Sequence, residues 1–297
     1  MKELLKNFEI HELGGIEPNP KYNPSVLDGQ RICKEKQIDV ILSVGGGSVL
    51  DCCKAIAAAA RYDGDPWDLI SYKVKAEDAL PIVDVMTLAA TGSEYDCGGV
   101  ISRTETNDKI GYVDPLLYPV CSLLDPAYTE TVNAVALDHP DDYEARAEIM
   151  LACTFGCNGL LNLGAGMSGW PMHGIEHALS AYYDITHGEG LAIITPRWMR
   201  HILNDRTLER FVKFGVDIYG ISAELPPYEI AEQAIDKTYD FFRNTMRMPM
   251  TLREVGIDES RLKEIAAHIA TNEGLDNPSI FAPLTEKDIY EILETSL

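Results

Sequence analysis

The stretch DVILSVGGGSVLDCCKAIAAAA, Asp39 to Ala60, decides the fold. Asp39 to Val44 is a short apolar run rich in β-branched side chains that ends in glycines, the pattern of a buried parallel strand. Val49 to Ala60 has the composition and length of a helix. Gly45-Gly46-Gly47-Ser48 lies where strand hands over to helix. Glycines let a backbone come close to a diphosphate, and a helix N-terminus aims N–H groups at it. Ser48 is placed to cap that helix and to touch phosphate. The run is neither G-x-G-x-x-G nor a Walker loop, so a bare turn competes with the phosphate reading until the flanking strand and helix are weighed.

Working outward, Ser25 to Lys36 reads as a helix with Val26, Leu27, Ile32 and Cys33 on its apolar side. Ile82 to Thr87 is a second strand. The hydroxyl-rich loop after it, Thr87-Leu88-Ala89-Ala90-Thr91-Gly92-Ser93-Glu94, should share the sheet edge with Gly45 to Ser48, because loops at strand C-termini in an α/β sheet lie together. Val100 to Arg103 and Lys109 to Val113 form a hairpin pattern, and Val120 to Leu124 is a further strand. Glu9 to Leu13 also has a strand-like pattern. After Pro126 no strand is expected. Tyr143 to Leu163, Met172 to Tyr183, Gly190 to Leu203, Leu208 to Val216, Glu229 to Met246, Arg261 to Thr271 and Glu286 to Leu293 all carry helical periodicity. The expected organisation is an α/β Rossmann-like domain over 1–128, incomplete at its N-terminus, and an all-α helical domain over 129–297. A ligand cleft is expected where they meet.

Bulk properties narrow the function. The 297 residues carry a formal charge of −22, which opposes binding to nucleic acid and to anionic membrane surfaces. No run of apolar residues is long enough to span a bilayer. The N-terminus lacks a signal-peptide pattern, so a cytoplasmic location is expected. The cysteines form no paired C-x-x-C knuckles, and buried thiols are the expectation.

The chemistry-bearing stretch is Met172 to Gly188, MHGIEHALSAYYDITHG. His173 and His177 are four apart and share one helix face. His187 follows a break around Tyr183-Asp184. Three imidazoles are thereby expected to converge where two helices meet, facing the triple-glycine turn, and imidazole is a common metal ligand and proton relay.

Gly45 to Ser48 with Asp51 and Lys54, then Thr91-Gly92-Ser93-Glu94, then the His173 to His187 segment together resemble the iron-containing alcohol dehydrogenase family, in its butanol dehydrogenase-like branch. Gly14 to Pro20, Asp141 to Arg146, Thr195 to Arg200 and Met248 to Leu252 add to the resemblance, which runs from about Phe8 to the C-terminus. It implies an oxidoreductase that interconverts a primary alcohol and an aldehyde with NAD or NADP. Gly46, Gly47 and Ser48 would hold the cofactor diphosphate. Asn19, Asp51, Thr87, Thr91 and Lys109 would line the nicotinamide end. His173 and His187 would bind a divalent metal, Fe(II) or Zn(II), acting as a Lewis acid on the substrate oxygen. His177 would face the substrate, and His177 and Asp51 would be the catalytic side chains. A small-molecule alcohol or aldehyde is the expected ligand and a homodimer the expected assembly.

The chain departs from the family in two places. The family supplies two more metal ligands spaced Asp-x-x-x-His, and no aspartate here lies four residues before any histidine. Glu264 and His268 have the spacing but read as a solvated helix face, and Asp138-His139 reads as loop. The resemblance also implies a βα unit ahead of Met1 that helps read the adenine ribose, so the choice between NAD and NADP is not legible. Asp96 stands where the family often has Thr or Asn, placing a carboxylate near the nicotinamide. Two alternative readings follow: a catalytically impaired relative that keeps the fold and dinucleotide affinity, and a dehydroquinate synthase-like lyase.

Overall fold

Strand β1, Ile41–Gly45, runs parallel to β2, Ile82–Met86, and β2 runs parallel to β5, Cys121–Leu124, giving the sheet order β1-β2-β5. The computed structural model describes residues 3, 5–88, 90–124, 139, 141–157 and 170–297. Parallel neighbours require crossovers. The first is made by α2, Gly47–Ala59, and the short α3, Pro66–Ile70. Between β2 and β5 the chain forms the antiparallel hairpin of β3, Gly98–Arg103, and β4, Asp108–Val113. Helix α1, Leu27–Lys36, precedes β1 and packs on α2. The contacts divide the chain into two compact units, Met1–Leu163 and Gly164–Leu297.

Helix α2 is the centre of the first unit. Leu50, Cys52, Ala57 and Ala59 are fully buried, and they join Ile82 and Met86 of β2, Ile101 of β3 and Tyr112 of β4 in one core. Small alanines let the helix lie close to the strands. Helix α4, Tyr143–Cys157, also belongs to this unit: Met150 enters the core, and Thr154 Oγ1 donates to Glu94 Oε1 at 2.5 Å. The division expected at 128/129 falls on residues outside the described set, as do 158–163 at the end of the Tyr143 to Leu163 helix expected from the sequence.

Three expectations for this unit need correction. Glu9 to Leu13 is not a strand, since no described neighbour offers it a ladder. Among the described residues, strand β1 is covered on one face only: Ser43 is buried, but Leu42 and Val44 on the opposite face are exposed. An unbroken apolar run therefore overstated its burial. Helix α3 was not expected, although its signals are in the sequence. Asp65 caps it by accepting from Trp67 N at 2.9 Å, and Pro66 takes the first helical position.

The second unit has no strand among its described residues and is built on α5, Pro171–Tyr183; α6, His187–Ile202; α7, Leu208–Tyr219; α8, Pro227–Asp240; α9, Leu262–Asn272; and α10, Glu286–Thr295. Their apolar faces meet in a main core that includes Ile175 and Leu179 of α5, Ile193 and Ile194 of α6, Ile265 and Ile269 of α9, and Ile289 and Ile292 of α10, with a smaller cluster of Ile221, Ile230 and Ala234 beside α7 and α8. A capping box at Thr285 and Asp288 starts α10. No described helix is long and apolar enough to cross a membrane.

Asp84 sits wholly buried at the middle of β2, opposite Ser43 of β1. Burial pushes its carboxyl up to about 6, against a smaller opposing effect of the Ser43 hydroxyl. Its folded value lies above the unfolded one, so stability falls as the pH rises from the unfolded value through 6 and stays reduced above it. Asp84→Asn removes that loss, about 3 kcal/mol at full ionisation. Urea midpoints should rise more at pH 8 than at pH 5; an equal change at both pH values would contradict this assignment.

Candidate functional site

The turn after β1 takes its shape from its glycines. Gly46 is the N-cap of α2 in an extended conformation, and its carbonyl accepts from Val49 N at 3.0 Å and Leu50 N at 3.2 Å. Ser48 therefore lies inside the helix and does not cap it, because α2 starts earlier than the sequence suggested. A Cβ on Gly47 would fall 2.3 Å from Thr91 Oγ1, and one on Gly46 would fall 3.1 Å from Leu88 Cβ. Only the absence of side chains lets the loop after β2 approach so closely. Thr87 N donates to Gly45 O at 2.9 Å, locking the two strand ends in register. Gly46, Gly47, Ser48, Thr87 and Thr91 thus gather at one sheet edge, with the first N–H groups of α2 among them.

Beneath this edge lies a buried polar joint. Lys54 of α2 is fully buried, and its ammonium donates toward Ser93 O at 2.8 Å, Ser93 Oγ at 2.9 Å, Asp96 O at 3.0 Å, Asp96 Oδ1 at 2.7 Å and Gly98 O at 2.7 Å. Ser93 Oγ donates its hydroxyl hydrogen bond to Asp51 Oδ1 at 2.7 Å, and Asp51 Oδ2 accepts from Val100 N at 2.9 Å. Tyr112 OH donates to the Asp51 carbonyl at 2.7 Å. Burial pushes the Asp51 carboxyl up to about 6 even with the Lys54 charge nearby.

Both oxygens of Asp51 are thus engaged within the protein. Asp96, expected as an extra charge near the nicotinamide, is turned to Lys54 and to Gly98 N at 2.8 Å. Lys109 is buried on β4 rather than solvated. Asn19 takes a left-handed conformation, φ 54°, just before Pro20 accepts from Ser102 N at 2.9 Å, which brings it alongside β3.

In the second unit, α5 and α6 bring the three histidines together. Asp184 ends α5 in a left-handed conformation, with its N–H donating to Ser180 O at 2.8 Å, and Thr186 precedes α6 so that His187 opens it. The short reversal folds His187 back onto the His173–His177 face. Ring centroids are 5.2 Å apart for His173 and His187, 5.7 Å for His177 and His187, and 6.2 Å for His173 and His177. Trp170 meets the His173 ring edge-on at 4.8 Å.

Glu176 is a residue that sequence reading left without a role. It is fully buried, and its carboxylate contacts His187 Nδ1 and Ser180 Oγ. The signal was available: 173, 176, 177 and 180 fall at i, i+3, i+4 and i+7, a single polar stripe on α5. Donor atoms of Glu176, His177 and His187 all lie within 4.8 Å of one another. Imidazole and carboxylate donors in so small a volume suit a first-row divalent metal. Glu264, by contrast, pairs with Arg261 at 2.8 Å on an exposed face, as its solvated reading anticipated.

Residues 1–126 match the family model described as iron-containing alcohol dehydrogenase, and residues 112–297 match that of the Fe-containing alcohol dehydrogenase family, C-terminal. The chain is 42% identical over 339 aligned positions to NADH-dependent butanol dehydrogenase B of Clostridium acetobutylicum, covering 99% of this chain and 86% of that protein. The alignment is longer than this chain, so that relative holds residues within the aligned span that have no counterpart here. NADPH-dependent aldehyde reductase YqhD of Escherichia coli is 32% identical, over 97% of this chain and 86% of that protein. The crystal structure of NADH-dependent butanol dehydrogenase A from Thermotoga maritima superposes with a TM-score of 0.90 at 30% identity, covering 99% of this chain and 85% of that one.

Removing the Lys54 charge should leave the buried Asp51 and the half-buried Asp96 without their cation. Lys54→Met is expected to cost about 3–5 kcal/mol in urea unfolding. A cost under about 1 kcal/mol would mean that water replaces the ammonium at no penalty.

Proposed function

This chain belongs to the iron-containing alcohol dehydrogenase family, and from that premise we propose that it interconverts a primary alcohol and an aldehyde using NAD(P) and a divalent metal. The observation that carries the reading is the convergence of His173, His177 and His187 on α5 and α6, at ring separations of 5.2 to 6.2 Å. A bound Fe(II) or Zn(II) supplies Lewis acidity toward the substrate oxygen, and the nicotinamide supplies or takes up hydride.

The residues of this chain do the rest. His173 and His187 hold the metal. His177 lies on the same helix face as His173 and is assigned the proton of the alcohol hydroxyl. In the first unit, the N–H groups of Gly46 and Gly47 and the Ser48 hydroxyl bind the diphosphate at the start of α2. Thr91 flanks them, since its side chain already rests against Gly47. Thr87, Asn19 and Lys109 are assigned to the nicotinamide end. Asp51 acts there by fixing Ser93 and the start of β3, because both its oxygens bond inward.

The Asp-x-x-x-His ligand pair of the family is not in this sequence. Two histidine ligands bind metal more weakly than four protein donors. Protein loaded anaerobically with Fe(II) should therefore oxidise butan-1-ol with NAD+ or NADP+ at least about tenfold more slowly than the Clostridium butanol dehydrogenase B, the scale of losing ligand support. His173→Ala should lose the bound metal. No metal uptake and no reduced cofactor would leave this chain its ancestry without the activity, and equal turnover would show that the absent pair is dispensable.

Close approach at Gly47 gives an independent test of the first unit. Gly47→Ala drives a methyl into Thr91, so NADH affinity should fall by about tenfold or more, as expected when one bonded contact is lost. Unchanged affinity by fluorescence titration would move the diphosphate away from this turn.

A further inference from the structure

We propose that Glu176 is a positioning residue of the metal centre: it receives the Nδ1–H of His187 and so leaves Nε2 as the nitrogen that faces the metal. The inference rests on His187 being a metal ligand, as proposed above.

A carboxylate with no exposed surface is costly unless its charge and lone pairs are answered. For Glu176 they are answered from two directions. Ser180, one turn along α5, donates its hydroxyl to Oε1, which fixes the carboxylate from its own helix. His187, the first residue of α6, meets Oε2 through Nδ1. Space for the carboxylate is made by Gly190: a Cβ there would lie 2.6 Å from Glu176 Cγ and 3.2 Å from Oε1. Gly190 is one turn after His187, so a single face of α6 supplies both the imidazole and the gap that admits its partner.

Imidazole has two nitrogens, and the bond made by one decides what the other can do. With Nδ1–H given to a carboxylate, Nε2 keeps its lone pair, gains basicity and is held in direction. Glu176 is close enough to His177 and His187 to ligate the metal itself. Both of its oxygens are already engaged, however, and this favours orientation over direct ligation.

The test uses the full chain with Glu176→Ala and the isosteric Glu176→Gln, the second guarding against loss of fold. In metal-free protein, nitrogen NMR of the imidazoles should show His187 as the Nδ1–H tautomer, and Glu176→Ala should shift it toward Nε2–H. Titration with Co(II) should then show affinity falling about 10–100-fold in Glu176→Ala and less in Glu176→Gln, with the shape of the visible d–d bands retained. An unchanged His187 tautomer in Glu176→Ala overturns the proposal whether or not metal binds. Unchanged Co(II) affinity overturns it as well, and so does a band pattern in Glu176→Gln showing one ligand fewer, which would make Glu176 a ligand. A wild-type chain that binds no Co(II) but shows the tautomer change would defeat the metal reading of His187 instead.

Discussion

The ammonium of Lys54, buried inside the first unit, is the interaction on which the glycine-turn edge of the sheet depends. It is a charge that water cannot reach, and it is tolerated because backbone carbonyls, the Ser93 hydroxyl and the Asp96 carboxylate surround it within 3.0 Å. An ammonium has three protons, so these five acceptors share them. The consequence is geometric. Residues 93 to 97 have no regular structure beyond a single turn of 3-10 helix, yet they are pinned to α2, the helix whose N-terminus carries Gly46 and Gly47. The loop bearing Thr91 is held against the glycine turn from below, and Asp51 extends the same joint to β3. An edge assembled from two loops needs such an anchor, because loops are more mobile than the elements they connect.

The second unit solves a similar problem with apolar packing outside and a polar stripe within. Ile175, Ala178 and Leu179 of α5 face the helical core, while His173, Glu176, His177 and Ser180 make the opposite stripe. The turn at Asp184 is so short that α6 must begin beside the stripe, and His187 enters it as the first residue of the new helix. Convergence of the imidazoles is therefore a property of local chain geometry: a helix repeat of 3.6 residues, one left-handed residue and one helix start.

The same locality explains what could be read without coordinates. The strand, glycine turn and helix from Ile41 to Ala59 follow from composition, and the histidine cluster follows from spacing; both lie within short stretches of chain. Residues whose role depends on distant partners were misjudged or missed. Asp51 was expected at a ligand edge, but its two carboxylate oxygens bond inward to Ser93 and Val100. Asp96 was expected as a carboxylate near the nicotinamide and is the counter-ion of Lys54. Glu176 escaped notice because a glutamate between two histidines reads as ordinary helix, and its burial is set by Gly190 on the next helix. Strand β1 appeared buried on both faces because an apolar run carries no information about which side its helices cover.

The account stands on His173 and His187 sharing one metal ion through nitrogens of fixed orientation. Anomalous X-ray diffraction at the iron edge, on crystals loaded anaerobically with Fe(II), tests this most directly. The expected result is one strong peak about 2.0–2.2 Å from Nε2 of both His173 and His187, the range of metal–imidazole bonds. A peak elsewhere, or His187 bound through Nδ1 with Glu176 displaced, would contradict it.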